Sequence, residues 1–252
     1  MNNTTQDDWD SHWSKFASAA EQNPANVLRM DAVFDRRGLS GGGEGARVLD
    51  LGCGQGEVLG VLSRRFPGAG LMGVDLSAEG VAKARARLPQ AQLTCANLLQ
   101  PVDLGAFKTL ATHAVCSEVL EHLDDPSALL RHARVWLEPG ARLVITVPAG
   151  PMSAFDKHIG HRRHFTAKSL REVIEAAGYR AVEVSRPGFP FFNLYRLTVI
   201  ARGQGLVKDV GQAGELPFAA RAAMKGFGVL FRLNADRLNL GWQLVAVAEA
   251  PH

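Results

Sequence analysis

Cysteine is scarce in this 252-residue chain: Cys53, Cys95 and Cys116 are the whole set. They are odd in number and scattered through what read as core strands and turns. That pattern argues against a disulfide framework and fits a reducing cytoplasm. Surplus charge is also missing, with 28 basic residues against 25 acidic ones for a net +3. A general nucleic-acid binder concentrates basic side chains on one face, so no nucleic-acid partner is expected from this balance. No long apolar run is present. The most apolar stretch, residues 189–200, is too short for a bilayer and contains Arg196, so no transmembrane segment is expected. The polar, acidic first ten residues lack the basic-then-apolar order of a signal peptide. What is left is ordinary globular composition, 46% hydrophobic and 21% charged, at a length suited to one large α/β domain or one domain with an appendage.

Periodicity divides the chain. Trp9, Trp13 and Phe16 recur at i, i+4 and i+7, which predicts a short amphipathic helix. A second helical stretch after Pro24 carries Val27, Met30, Val33 and Phe34, and Gly41, Gly42, Gly43 and Gly45 form a break. Residues 1–45 therefore read as N-terminal helices and residues 46–252 as the main domain. From Arg47 the pattern is strand, turn, helix, repeated, with strands expected at 48–51, 71–75, 91–95, 113–116 and 143–147. Helices are expected at 56–65, 78–88 and 127–137, the last stopped by Pro139-Gly140, and at 169–177 behind a Thr166 cap with Gly178 at its end. Such alternation implies a parallel sheet covered on both faces. Two further strands read at 180–185 and 242–249. Between them, residues 187–241 mix aromatics with Arg and Gly and read as an insertion of two or three helices, since a loop that long without structure would be unusual.

The most informative run is VLDLGCGQG, residues 48–56. Gly52, Gly54 and Gly56 let the backbone bend sharply and approach a ligand, and the helix that follows offers unpaired N–H groups. Asp75, at the end of the second strand, is placed to accept both hydroxyls of a ribose, each such charge-assisted bond worth roughly 1.5–3 kcal/mol. A dinucleotide-dependent oxidoreductase is the competing class. Its fingerprint, however, is G-x-G-x-x-G, whereas this loop is G-x-G-x-G. Asp50, two residues before the first glycine, is also a poor neighbour for a pyrophosphate and suits the amino group of a sulfonium amino acid.

VLDLGCGQG is followed in order by GVDLS, CANLL, CSEVLEHLDDP and LEPGARLVITVP. Across residues 47 to about 185 this series resembles the class I S-adenosylmethionine-dependent methyltransferases, and within them the branch that holds ubiquinone-biosynthesis O-methyltransferases. The resemblance implies an α/β fold with a Rossmann-like seven-stranded sheet of order 3-2-1-4-5-7-6, the last strand antiparallel. It implies S-adenosylmethionine as cofactor and methyl transfer to a small-molecule acceptor, at oxygen first and nitrogen next. By position, Asp50, Gly52 and Gly54 would hold the methionine part, Asp75 the ribose, and Leu76 would pack on the adenine. Ala96 and Asn97 would meet the adenine edge; many relatives carry Asp where Asn97 stands, and the amide can still accept a hydrogen bond. Ser117 and Glu118 would floor the sulfonium, and Cys53 and Leu98 complete the strand-end set. In this family N-terminal helices fold over the cofactor, which brings in Trp13 as a lid residue and Arg29 toward the methionine carboxylate.

Displacement from a sulfonium needs mainly alignment, for which effective molarities of about 10⁵ M or more are possible. A base is required only where the acceptor loses a proton. Two segments at the strand ends offer one. In E-V-L-E-H, residues 118–122, a helical turn would make Glu118 and His122 i, i+4 neighbours. After the fifth strand, residues 155–165 gather His158, His161, Arg162, Arg163 and His164. His122, His158 and His161 are the candidate bases, and Arg162 or Arg163 would clamp an anionic group on the acceptor. The plain alternative is a solvated basic loop. Glu118, Glu121 and His122 with one histidine of residues 158–164 could also form a carboxylate–imidazole metal site. Small-RNA 3′-end methyltransferases carry a similar run with a metal, which is the one feature favouring an RNA substrate. The working expectation is no metal. Phe189, Phe191, Phe192 and Tyr195 read first as packing and second as an apolar wall for the acceptor.

Overall fold

The computed structural model describes residues 9–10, 23–34, 45–101, 105, 107–212 and 218–252. Apolar runs too short for helices form seven strands: β1 (Arg47–Leu51), β2 (Gly70–Asp75), β3 (Gln92–Cys95), β4 (Ala111–Ser117), β5 (Leu137–Pro148), β6 (Arg180–Ser185) and β7 (Gln243–Glu249). They make one sheet of order β3-β2-β1-β4-β5-β7-β6. Pairs β3–β2, β2–β1, β1–β4 and β4–β5 are parallel, while β7 is antiparallel to both β5 and β6. The order expected from the resemblance is the one observed.

Both faces of the central strands are covered because neighbouring residues point to opposite sides, each into apolar packing. Leu49, Leu51, Met72, Val74, Leu143 and Ile145 enter one core with Trp136, Leu170 and Ile174. Val48, Leu71, Val115 and Val144 enter the other with Leu59 and Leu62. Full burial of each such side chain contributes roughly 1.5–3 kcal/mol.

Among the described residues, the helices include α1 (Ala25–Phe34), α2 (Glu57–Arg65), α3 (Ala78–Arg87), α4 (Pro126–Ala133), α5 (Ala154–His158), α6 (Ala167–Ala176), α7 (Phe191–Gln212) and α8 (Phe218–Leu230). Their starts follow capping chemistry. Ser77 accepts from Gly80 N–H at 3.0 Å, and Thr166 from Ser169 N–H at 3.1 Å within a capping box. Helix α7 is interrupted at Gly203, whose φ of 47° and ψ of −124° leave the helical region. Buried Ala25 and Leu28 of α1 pack with Phe192 of α7 and Phe231 after α8, tying the N-terminal segment to the helices between β6 and β7. Among the described residues no helix is long and apolar enough to cross a membrane.

Two local expectations are corrected. Strand β5 does not begin after Pro139-Gly140 but runs straight through it from Leu137, and the helix before it ends at Ala133 with a 3₁₀ turn over Arg134–Trp136. Gly140 carries φ 74°, and its N–H donates to the Ala250 carbonyl at 3.2 Å, so the turn signal is absorbed as an irregularity inside the strand. Residues 118–122 do not form an α-helical turn either: Glu118 has φ 57° and only Leu120–His122 close a 3₁₀ turn. Trp13, Phe16 and the glycines at 41–43 lie outside the described residues.

Candidate active site

The chain leaves β1 through three glycines at positive φ, 80°, 48° and 80° at residues 52, 54 and 56. A Cβ at Gly52 would collide with Val119, so the loop and the turn after β4 pack together only because this position has no side chain. Gly52 and Cys53 N–H groups both donate to the Val74 carbonyl, at 2.8 and 3.0 Å, which pins the loop to β2. Asp75 then accepts from Gly54 N–H at 2.7 Å and Ser77 N–H at 2.8 Å. Burial pushes its pKa up, and these backbone donors oppose the shift.

Two cavities open here. One, of about 110 Å³, is lined by Asp75, Leu76, Ala96, Asn97, Leu98 and their neighbours. The other, of about 580 Å³, takes in Asp50, Cys53, Ser117, Glu121 and His161 on the sheet side, and faces of α1, α7 and α8 opposite. Trp9, Gly52, Glu118 and His122 line both, so the two are halves of one site. Asp50 is 1% exposed and its Oδ2 has no hydrogen-bond partner among the described residues. Burial first, then Asp75 and Glu57, raise its pKa to about 8. A buried carboxyl short of a partner at a cavity wall is suited to an ammonium group.

Glu118 is fully engaged. Its N–H donates to the Thr146 carbonyl at 2.9 Å, its Oε1 accepts from Thr146 and Gln243 at 3.1 and 2.9 Å, and its Oε2 pairs with Arg29 at 2.7 Å. Ser117 is held by the same threonine at 2.8 Å. Glu118 thus serves as an anchor that brings Arg29 from α1 to the rim. Trp9 stands edge-on to His122, ring centroids 4.8 Å apart, while Asp10 Oδ1 accepts from the Ser77 hydroxyl at 2.5 Å and Glu79 N–H at 3.1 Å. The N-terminal segment therefore reaches across the strand ends. Of its aromatic stripe, Trp9 is the described member.

Glu121, His122 and His161 meet on the floor of the larger cavity. Glu121 is fully buried, and neither carboxylate oxygen has a hydrogen-bond partner among the described residues; His161 Nε2 stands 3.9 Å from its Oε1. The His122 and His161 rings pack edge to face at 4.7 Å. Burial, then Glu118, pushes the Glu121 pKa well up. Burial, then His122, pulls His161 down to about 2, so its imidazole is neutral. His158 is placed elsewhere: it is exposed at the end of α5 and lines neither cavity. The expected arginine clamp is also corrected. Arg162 pairs with the Asp124 carboxylate and Arg163 donates to the Asp124 carbonyl at 3.0 Å, outside both linings. The cavity arginines are instead Arg29, Arg196 and Arg202, from α1 and α7.

Asp156 and Arg196 have no role in the site expected from sequence, and His164 entered it only as one of the histidines of residues 158–164 that could complete a metal site. Arg196 grips Asp156 with both Nη atoms, at 3.0 and 2.6 Å. Burial raises the Asp156 pKa, but that fork and the Ser153 hydrogen bonds win and hold it at about 2. The S-x-x-D spacing of Ser153 and Asp156, a capping box, was the available signal. Among the described residues, two groups have spacing suited to a cation, Glu121–His122–His161 and Asp156–His161–His164. In the second, the Arg196 guanidinium already supplies the positive charge. The first, with its unpartnered carboxylate, fits a divalent ion chemically. Glu118 belongs to neither group, being turned to Arg29.

A methyltransferase-domain family model matches residues 20–184. The ubiquinone biosynthesis O-methyltransferase of Aeromonas salmonicida is 29% identical over 190 residues, covering 68% of this chain and 78% of that protein. The enzyme of the same name from Xanthomonas oryzae is 36% identical over 132 residues, 52% of this chain and 53% of its own, so the chain spans about half that relative's length. A geranyl diphosphate C-methyltransferase from Streptomyces coelicolor A3(2), solved with Mg²⁺, geranyl diphosphate and S-adenosyl-L-homocysteine, shares the fold. Its TM-score is 0.55 at 18% identity, over 89% of this chain and 79% of that one. With the glycine loop, the strand-end carboxylates and the sheet order in place, the chain belongs to the class I S-adenosylmethionine-dependent methyltransferases.

Proposed function

We propose that this enzyme methylates the hydroxyl oxygen of a small, largely apolar acceptor such as a substituted phenol. The observation that carries the reading is the larger cavity itself. Its walls are Met30 of α1, Phe192, Tyr195, Val199 and Leu206 of α7, and Met224 and Phe227 of α8, and its floor is Glu121, His122 and His161. Apolar walls with a few convergent polar groups suit a lipophilic ring or chain that presents one reactive group. On this reading residues 1–45 and the insertion at 187–241 form the acceptor side, and the strand ends from β1 to β4 form the cofactor side.

Asp50 takes the amino group of the cofactor, Arg29 its carboxylate and Asp75 its ribose, with Leu76, Ala96, Asn97 and Leu98 around the adenine. Gly52, Cys53 and Gly54 give the backbone room, and Ser117 and Glu118 support the floor. S-adenosylmethionine held there would supply a methyl on cationic sulfur, displaced by the acceptor oxygen so that the carbon–sulfur bond would break as the carbon–oxygen bond formed, with S-adenosylhomocysteine as the leaving product. The neutral His161 imidazole accepts the acceptor's hydroxyl proton as the bond to carbon forms, with the buried Glu121 carboxyl 3.9 Å from its Nε2. His122, wedged between Trp9 and His161, shapes the floor.

A second reading rests on the spacing of Glu121, His122 and His161, which would let a divalent cation polarise the hydroxyl instead. The test is transfer of labelled methyl to phenols and catechols with and without an alkyl or prenyl chain, and to matched amines, each with and without chelator. The expected result is a preference of about tenfold or more for chain-bearing phenols, unaffected by chelator. Preference for amines overturns oxygen methylation, and loss of turnover with chelator selects the cation.

A further inference from the structure

His164 is absent from both cavity linings, yet it sits against His161, the histidine proposed as the base. Its Nδ1 lies 3.0 Å from the Gly150 carbonyl oxygen. A carbonyl only accepts, so Nδ1 of His164 must carry the proton, and in the neutral ring Nε2 is then the bare nitrogen. That Nε2 lies 3.3 Å from His161 Nδ1. Two bare nitrogens do not attract, so His161 Nδ1 must be the donor and carry its proton. The consequence falls on the far side of the His161 ring: Nε2, the nitrogen 3.9 Å from Glu121, is left with its lone pair free.

We propose that His164 is a positioning residue that fixes the tautomer of His161, leaving Nε2 as the nitrogen that faces the reacting group. The chain of contacts runs from a backbone carbonyl through two imidazoles, so the bare nitrogen at the cavity is set by a main-chain oxygen that does not titrate. Second-layer partners of this kind commonly decide which imidazole nitrogen is available.

Asp156 is the nearby group that could spoil the arrangement. Its Oδ2 is 3.7 Å from His164 Nε2, and a free carboxylate there would draw a proton onto that nitrogen and reverse both rings. Both Asp156 oxygens are instead held by the Arg196 fork, and Oδ2 also accepts from Ser153 N–H at 2.6 Å. The Asp156 main-chain oxygen accepts from His161 N–H at 2.9 Å, so the same residue holds the His161 backbone. Arg196 lies on α7, which walls the proposed acceptor cavity. The acceptor-side helix therefore keeps Asp156 occupied and His164 in its working tautomer.

The proposal rests on His161 acting at the reacting group, but its first test needs no acceptor. Long-range ¹H–¹⁵N spectra of the imidazoles in the full chain, assigned with His161→Gln and His164→Gln, should show His161 and His164 both as Nδ1–H tautomers in the wild type. His164→Phe should move His161 toward the Nε2–H form or a mixture, and Arg196→Met should shift His164. A wild-type His161 found as Nε2–H overturns the proposal, even where no variant folds.

With a chain-bearing phenol as acceptor, His164→Phe should lower kcat about 10- to 100-fold with S-adenosylhomocysteine Kd changed by less than about threefold. His164→Gln, whose amide oxygen can still accept from His161 Nδ1, should recover most of that loss. In a His161→Gln background, His164→Phe should have little further effect. Equal losses for Phe and Gln, or additive losses in the double variant, overturn the positioning role. If His161→Gln leaves turnover unchanged, the base reading fails, while the spectra still decide whether His164 sets the His161 tautomer.

Discussion

The two halves of this site are held together in opposite ways. On the cofactor side, backbone does the holding: Gly52 and Cys53 N–H groups bind the Val74 carbonyl, and Gly54 and Ser77 N–H groups bind Asp75. On the proposed acceptor side, side chains do it, across long sequence separations. Arg196 grips Asp156, Asn193 Oδ1 accepts from Trp242 N–H at 2.8 Å, and Asn234 Oδ1 accepts from Phe191 N–H at 3.0 Å. A backbone-built half tolerates change only where glycine geometry survives. A side-chain-built half can be re-lined residue by residue, and that is where acceptor choice would be set. If so, variants on one side should move cofactor binding, and variants on the other should move turnover or acceptor affinity.

The largest expected effect on the acceptor side is that of His161→Gln, which should lower kcat by about 10²–10⁴-fold while S-adenosylhomocysteine Kd stays within about threefold. A matching loss of cofactor affinity would erase the distinction between the halves.

On the cofactor side, Asp50 gives a pH signature. Burial raises its pKa to about 8, so in the empty protein at pH 7 the group is mostly protonated. An ammonium ligand favours the carboxylate and must release that proton. Affinity for S-adenosylhomocysteine should therefore rise by about tenfold per pH unit from 6 toward 8 and then level. Calorimetry in buffers of different ionisation enthalpy should detect the released proton, and Asp50→Asn should abolish both effects. A flat profile in the wild type would mean that Asp50 is already ionised.

The smallest effect sharpens the comparison. Phe227→Leu keeps an apolar wall on α8 but changes its shape, and should raise KM for a chain-bearing phenol about 3- to 10-fold without altering cofactor Kd. No change for several acceptors of different length would place the acceptor elsewhere in the cavity.

The same contrast explains what could be read from sequence. The glycine loop and Asp75 were legible because close backbone approach demands particular residues at a fixed spacing. The strand order followed from the family resemblance that those motifs carry. The Asp156–Arg196 pair was not legible, because forty residues separate its members and only the packing of α7 against α5 brings them together. Glu118 was misplaced on a helical turn because a positive φ at a glutamate leaves no trace in composition. The turn signal at Pro139-Gly140 misled for a related reason. Gly140 supplies its positive φ within β5, and the sheet overrides the local preference. Of the three candidate bases, His161 and His122 reached the cavity and His158 did not, a difference of one helix-end orientation that periodicity over a five-residue helix cannot resolve.

Cofactor identity is tested most sharply by calorimetric titration of S-adenosylhomocysteine into the wild type and Asp75→Ala, with NAD and NADP as controls. Wild-type binding is expected with Kd on the order of micromolar, weakened about 100-fold or more in Asp75→Ala by loss of the ribose contacts, with no heat from either dinucleotide. Dinucleotide binding with no response to S-adenosylhomocysteine would contradict the assignment.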